Sequence, residues 1–162
     1  MDIEDRLALH ELPGRYGDLI DDRDWDGLSA IFLDDATFEI PDQVLDGLEE
    51  IRAFMRGSNH PRTHAMTNVY ADETPGEPDR AILRFRIVGM RRDGRIMSGR
   101  YRDVVVKTAD GWRVASRVYT STSTRRARGS RHLTSSTSLL SSRTEASRVP
   151  ASTPEGKSSI SA

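Results

Sequence analysis

Apolar residues recur at helical spacing through the first part of the chain. Over residues 3–22 they return every three to four positions, and this spacing predicts an amphipathic helix. The members of this apolar face are Leu7, Leu12, Tyr16, Leu19 and Ile20. Pro13-Gly14 interrupts the segment. Because proline lacks an N–H and clashes with the preceding turn, we expect a kink there or two short helices.

Two shorter helical segments follow, separated by a strand. Asp24 is typical of a helix N-cap, and the apolar positions within Trp25–Phe32 predict a second, short helix. Ala36–Ile40 has the character of a short strand. The apolar side of Gly47–Arg56 predicts a third helix, and a glycine with small polar residues closes it.

The rest of the first 122 residues has the pattern of long antiparallel strands. The predicted strands are Thr63–Ala71, Arg80–Arg91, Arg95–Lys107 and Trp112–Thr122. Asp93-Gly94 and Asp110-Gly111 are two-residue turns of the kind that joins hairpin strands. Helices followed by such a meander predict an α+β domain, with the helices covering one face of a strongly curved sheet. A pocket is expected between the two layers.

The composition of the chain changes at residue 123. Residues 123–162 are dominated by Ser, Thr and Arg and carry a net charge of +5. Because they contain few apolar residues, they cannot bury enough surface to offset their ordering entropy, and we expect a disordered tail. The domain is therefore predicted to span residues 1–122. The formal charge of the whole chain is −1, and this balance argues against a nucleic-acid partner.

Several classes of protein are excluded by what the sequence lacks. It contains no cysteine, which excludes a disulfide scaffold, thiol catalysis and a thiolate zinc site. No apolar run approaches the ~18 residues of a membrane span, and the acidic first residues lack a signal-peptide pattern. A cytoplasmic protein that does not contact a membrane is expected.

Metal and nucleotide sites are not expected either. His60 and His64 are four residues apart, as helical metal ligands are, but Pro61 breaks any helix between them. A carboxylate or third histidine that would complete a metal site is absent from the neighbouring sequence. The chain has no glycine-rich phosphate-binding motif.

Several short strings resemble the SnoaL-like branch of the NTF2-like superfamily. They are Tyr16 with Asp21–Leu28, Phe32 with Asp35-Ala36, Thr63–Asn68, Gly99–Tyr101 and Asp110–Trp112. The resemblance covers residues 3–122 and implies the cone-shaped α+β fold of the dehydratases and polyketide cyclases of this superfamily, a fold that also hosts non-enzymes. It further implies a homodimer or a higher homo-oligomer that covers the open sheet face.

The same resemblance implies an acid–base pair. In dehydratase-type members, an aspartate at the end of the first helix pairs with a histidine on the strand after the third helix. These positions fall on Asp21 and His64, and pocket positions of some members fall on Tyr16 and Arg117. A tyrosine on the first strand and a histidine within residues 80–91, both typical of scytalone dehydratase, are absent. Scytalone dehydration itself is therefore not expected.

An aspartate–histidine pair is suited to proton transfer. The carboxylate fixes the imidazole tautomer and stabilises the imidazolium, while the other ring nitrogen removes a proton beside a carbonyl group. The Tyr16 hydroxyl would stabilise the enolate charge, and the reaction needs no cofactor. Strand alternation places Met66 and Asn68 on the face of His64, which makes them candidate substrate contacts together with Arg117.

The residues leave other roles open. Asp22 competes with Asp21 as the functional acid, since both belong to one acidic run, in which we assign Asp24 to helix capping. His64 can also be read as a strand histidine satisfied by backbone groups. Tyr16 can also be interpreted as a core residue, and Arg117 as a solvated strand residue.

A cluster of arginines stands apart from these candidates. Residues 84–102, which span most of the predicted hairpin of Arg80–Arg91 and Arg95–Lys107, contain seven arginines, and Arg84 and Arg86 share one face. They are consistent with contact to an acidic partner subunit. They are equally consistent with an exposed face that the acidic first helices balance.

Two hypotheses for the function result. The first is a cofactor-free dehydratase, isomerase or cyclase acting on a small, cyclic, carbonyl-bearing hydrophobic molecule. The second is a non-catalytic ligand-binding or assembly subunit, similar to the small subunit of ring-hydroxylating dioxygenases. A short distance between Asp21 and His64, with the histidine in a cavity, would favour the first hypothesis.

Overall fold

A six-stranded sheet carries the helices of the domain on one of its faces. The computed structural model describes residues 1–122, so the predicted disordered tail lies outside the described residues. The elements are α1 (Ile3–Asp22), a 3₁₀ helix (Asp26–Ala30), β1 (Phe32–Ile40), β2 (Gln43–Asp46), α2 (Leu48–Gly57), β3 (Thr63–Thr74), β4 (Glu77–Met90), β5 (Ile96–Thr108) and β6 (Gly111–Ser121). The strand order is β2-β1-β6-β5-β4-β3. Strands β1 and β6 are parallel and all other neighbours are antiparallel, which confirms the predicted α+β class.

Helix α1 is continuous, although its sequence allowed two short helices. Pro13 lies inside it. The helix buries an apolar stripe that includes Leu9, Leu12 and Ile20. This packing compensates for the hydrogen bond that proline removes. Arg23 ends the helix in the left-handed conformation, with φ at 63°.

The segment between the two α-helices differs most from its prediction. The second helix is only a 3₁₀ helix, although Asp24 caps it as expected: the Gly27 N–H donates to Asp24 Oδ1 at 2.9 Å. Strand β1 begins at Phe32 instead of Ala36. Strand β2 was not predicted, because its four residues are too short to show a period.

A bulge in β3 changes which side chains share a face. Met66 pairs with the buried Ile87, whereas Tyr70 pairs with the exposed Arg84, so the register shifts by one residue between them. Asn68, at φ 52°, lies within the shift. A bulge inserts one residue and reverses the alternation beyond it. The prediction that His64, Met66 and Asn68 share a face is therefore wrong for Asn68.

Within residues 1–122, neither α-helix is long and apolar enough to cross a membrane.

Candidate functional site

An open cavity of about 270 Å³ lies between the helices and the inner face of the sheet. Its apolar walls come from β1, α2, β4 and β5. The apolar side chains include Phe38, Ile40, Phe54, Ile87 and Met97. Polar groups reach it from α1, the loop before β3, and β3, β5 and β6. They include Tyr16, His60, His64, Tyr101 and Tyr119. The charged side chain of Arg91 is a further lining residue, so the cavity combines apolar walls with both neutral and charged polar groups.

Asp21 and His64 are bound to each other at the edge of this cavity. Asp21 lies in the last turn of α1, and His64 is the second residue of β3. The distance from His64 Nδ1 to Asp21 Oδ1 is 2.5 Å. The backbone N–H of His64 also donates to Asp21 Oδ2 at 3.0 Å. The carboxylate therefore holds both the ring and the strand that carries it.

This pairing determines which ring nitrogen is available for chemistry. A carboxylate only accepts hydrogen bonds, so Nδ1 of His64 is the donor, and in the neutral imidazole the lone pair lies on Nε2. The His64 side chain is 5% exposed and that of Asp21 is 23% exposed. His64 lines the cavity, and Asp21 is not among the described residues that line it. A histidine held in this way is able to act as a base, with the carboxylate orienting its ring.

Tyr16 lines the same cavity one and a half turns before Asp21 on α1. Its side chain is buried, and its ring makes edge contacts with Phe32 and Tyr101. Burial raises the pKa of Tyr16, despite the nearby positive charge of Arg117. The hydroxyl is therefore neutral at neutral pH and able to donate a hydrogen bond.

Two further tyrosines of the cavity were not singled out from the sequence. Tyr101 and Tyr119 are cross-strand partners on β5 and β6, with ring centroids 5.1 Å apart. Burial raises the pKa of Tyr101 well above its ordinary value. A Cβ at Gly99 would come within 2.2 Å of the Tyr119 ring, so glycine makes room for that ring. Gly99 and Tyr101 belong to one of the strings that carry the family resemblance. This string was the feature of the sequence from which the two tyrosines could have been predicted as cavity residues.

His60 is a second histidine of the cavity. Its Nε2 donates to the Met55 carbonyl oxygen at 2.7 Å, and its ring lies 6.1 Å from that of His64. Burial lowers the pKa of His60, so the neutral ring is favoured. Within the described part of the chain, no three His, Asp or Glu side chains are grouped as metal ligands would be.

Arg117 lies below the cavity, not in it. Its Nε and Nη2 donate to Asp103 at 2.9 and 2.6 Å, and both side chains are 0% exposed. Burial opposes the charge of Arg117, but the Asp103 carboxylate outweighs it, and the pKa of Arg117 is raised. The guanidinium carbon lies 4.1 Å from the Tyr16 ring centroid and 4.9 Å from that of Tyr101. The interpretation of Arg117 as a solvated residue is therefore wrong. A substrate in the cavity would contact the rings of Tyr16 and Tyr101, which line it, and not Arg117, which does not.

The other two predicted substrate contacts also lie elsewhere. Met66 packs against the core, with its methyl carbon beside Gly17 of α1. Asn68 faces the outer side of the sheet, because of the bulge in β3. Neither residue is among the described residues that line the cavity.

Residues 1–118 match the family model of the SnoaL-like domain. The chain belongs to the SnoaL-like family. Its match covers the helices and nearly all of the sheet, including Tyr16, Asp21 and His64. No curated protein matches this SnoaL-like chain.

Solved structures have the same fold. A candidate aromatic ring hydroxylase from Novosphingobium aromaticivorans is 29% identical, with a TM-score of 0.63 over 75% of this chain and 92% of its own. A candidate scytalone dehydratase from the same species is 21% identical, with a TM-score of 0.62 over 72% of this chain and 83% of its own. A ketosteroid isomerase-like protein from Erwinia carotovora atroseptica is 16% identical, with a TM-score of 0.63 over 76% of this chain and all of its own. The predicted NTF2-like fold is therefore confirmed.

Proposed function

We propose that this SnoaL-like protein is a cofactor-free acid–base enzyme of the dehydratase, isomerase or cyclase type. The observation that carries the proposal is the double hydrogen bond of Asp21 to His64, with the imidazole at an apolar cavity. The fold is shared with proteins named for dehydratase and ketosteroid isomerase activity, and this agrees with the chemistry of the pair.

In the proposed reaction, Nε2 of His64 removes a proton from a carbon beside the substrate carbonyl. The electron pair of that C–H bond moves into an enolate, whose oxygen accepts a hydrogen bond from a cavity tyrosine such as Tyr16. Asp21 stabilises the imidazolium for the lifetime of the enolate. The proton then returns to another carbon in an isomerisation, or joins the departing hydroxyl as water in a dehydration. General base catalysis of this kind contributes about 10²–10⁴-fold in rate.

The lining of the cavity supports a small hydrophobic substrate with one carbonyl group. The walls are aromatic and aliphatic, and the tyrosine hydroxyls can donate to one oxygen. The volume of about 270 Å³ is near the lower end of the roughly 300–1,000 Å³ that small-molecule sites span. Rigid, cyclic ketones fit these conditions better than long molecules.

The test is turnover on a panel of enones, hydroxyketones and sterol-like ring ketones. The variant is His64→Ala, and the matched control is His10→Ala, since His10 is an exposed histidine of α1. We expect His64→Ala to lose about 10²-fold or more in kcat/KM, while His10→Ala retains wild-type turnover. Equal turnover by His64→Ala and the wild type would refute the assignment of His64 as the base.

A second candidate is a non-catalytic ligand-binding or assembly subunit. It is favoured by the 29% identity to a candidate aromatic ring hydroxylase, since the small subunit of ring-hydroxylating dioxygenases has a similar fold. It requires a large iron-containing partner. A co-purifying subunit of that kind, together with a panel on which neither His64→Ala nor the wild type shows turnover, would establish this candidate instead.

A further inference from the structure

Arg91 directly follows β4, and its side chain continues the inner face of that strand. Phe85, Ile87 and Gly89 are buried, and the residues between them are exposed. Because side chains of an extended chain alternate between its two faces, the next inward position is Arg91. Its side chain is partly buried and lines the cavity that also contains His64. A cation is thus built into the wall of a largely apolar cavity.

The turn between β4 and β5 fixes the backbone of Arg91. The Arg91 N–H donates to the Arg95 carbonyl oxygen at 2.8 Å, and the Gly94 N–H donates to the Arg91 carbonyl oxygen at 3.0 Å. Arg92 and Arg95 of this turn are exposed, whereas Arg91 is partly buried on the inner side. Solvation alone therefore does not account for its position. A binding group on a fixed backbone loses less conformational freedom when a ligand binds.

The guanidinium of Arg91 has no carboxylate partner among the ion pairs of residues 1–122. The carboxylate nearest in sequence, that of Asp93, accepts from Arg95 Nε at 2.7 Å instead. None of the described residues that line the cavity is an aspartate or a glutamate. A partly desolvated charge without a partner is unfavourable. An anionic group of a ligand would compensate it.

A smaller concavity of about 140 Å³ adjoins the cavity at Arg91. The two share Asn59, His60 and Arg91 as lining residues. The other lining residues of the smaller concavity belong to the β4–β5 turn and carry two positive charges and one negative charge. Arg91 therefore lies where the apolar cavity continues into a small concavity of positive charge, which has room for one polar substituent.

We propose that Arg91 binds a carboxylate group of the substrate, so that the substrate is a cyclic ketone with an acidic side group. This inference rests on the proposed function, because it assumes that the ketone lies at His64. The planar guanidinium fork binds a carboxylate through two parallel hydrogen bonds. With its ring between apolar walls and its carboxylate at Arg91, the substrate has few orientations left. Binding energy at the remote carboxylate would thus help to place the reacting C–H bond at Nε2 of His64.

The experiment compares keto carboxylates with their methyl esters as ligands of the full chain. The probes are a cyclohexanone carboxylate and a decalone carboxylate, each with its ester, and NMR titration at matched ionic strength gives the dissociation constants. The variant is Arg91→Gln. The matched control is Arg62→Gln, which removes the same charge from an exposed arginine that lines neither concavity.

The wild type should bind at least one keto carboxylate about tenfold more tightly than its ester, because charge-assisted hydrogen bonds are strong. Arg91→Gln should lose this preference and bind the ester within about twofold of the wild type, since the ester makes no ion pair. That ester binding also shows that the cavity is intact in the variant. Arg62→Gln should keep the preference, because it removes only a screened charge.

Several outcomes would overturn the proposal. They are equal affinity of the wild type for acid and ester, absence of binding for both keto carboxylates, equal loss of acid and ester binding in Arg91→Gln, and equal losses in the two variants. Failure of the proposed function is recognised separately, by exchange of the protons beside the ketone. If no acid or ester exchanges these protons while the preference that depends on Arg91 persists, the carboxylate site is supported for a ligand, and His64 is not the base.

Discussion

The residues of the candidate site differ in how far their surroundings could be predicted from the sequence. Asp21 and His64 were recognised because each lies in a string that resembles the family, and the structure brings them together as expected. The environment of Arg117 could not be predicted, since its partner Asp103 lies 14 positions away on another strand. Only the register of β5 against β6 sets these two opposite each other. The burial of a charge thus depends on tertiary structure, whereas the Asp21–His64 pair could be predicted from local motifs.

Removal of one hydroxyl tests the role of Tyr16. Tyr16→Phe keeps the ring that packs on Arg117 and Phe32, so the fold should be retained. If the hydroxyl stabilises an enolate, kcat should fall by roughly 10²–10³-fold, as for other oxyanion donors. Steady-state kinetics on the substrate found in the panel measure this effect. An unchanged kcat would leave Tyr16 as a core residue and direct attention to Tyr101.

The buried ion pair predicts a large loss of stability when one partner is removed. Asp103→Ala leaves the Arg117 charge buried without a carboxylate and should cost about 3–5 kcal/mol of unfolding free energy. The matched control is Glu77→Ala, which removes one partner of the exposed Glu77–Arg80 pair and should cost less than about 1 kcal/mol. Urea denaturation of both variants measures the difference. Similar losses for the two variants would contradict the account of the pair.

Among the helices and strands, those with a regular hydrophobic pattern could be predicted from the sequence, and the irregular ones could not. The long strands and the helices follow their hydrophobic periods. Strand β2 has too few residues to show a hydrophobic period. The bulge at Asn68 could not be predicted, because the polar and apolar residues of β3 do not mark where the alternation breaks. Tyr101 was not predicted as a cavity residue, because its position there depends on which face of β5 is directed inward. The sequence alone therefore predicts the elements better than the lining of the cavity between them.

Asp5 joins the start of α1 to the hairpin of β5 and β6. It accepts from Lys107 Nζ at 2.9 Å and from Trp112 Nε1 at 2.8 Å. These hydrogen bonds, that of Lys107 first, lower the pKa of Asp5 from its ordinary 3.8. A lowered pKa means that the ionised carboxylate stabilises the folded state. This contribution is complete above the ordinary pKa and is lost as the pH falls through the folded pKa.

Asp5→Asn should therefore be less stable than the wild type at pH 7, by about 1 kcal/mol after allowance for solvent screening. The difference should shrink as the pH falls below 3.8, because the wild-type carboxyl then also loses its charge. Thermal unfolding at pH 7, 5 and 3 follows both proteins. A difference in stability between the two proteins that grows towards low pH would contradict this prediction.

The two faces of the sheet differ in chemical character. The inner face bears a largely apolar cavity with the Asp21–His64 pair, and the outer face bears the arginines Arg84, Arg86, Arg100 and Arg102. Family membership follows from residues 1–118 and accounts for the fold, but this fold is compatible with many reactions. The homo-oligomer and the cytoplasmic location stay predictions. The substrate depends on side chains from many elements, so its identity was beyond a single sequence.

In the proposed function, His64, oriented by Asp21, removes a proton from a carbon beside a carbonyl group. The most direct measurement is deuterium exchange into the α-carbons of cyclic ketones in D2O, followed by NMR with wild type, His64→Gln and His10→Gln. We predict catalysed exchange with the wild type and with His10→Gln, and a rate about 10²–10⁴-fold lower with His64→Gln. Exchange at the wild-type rate in His64→Gln would contradict the account.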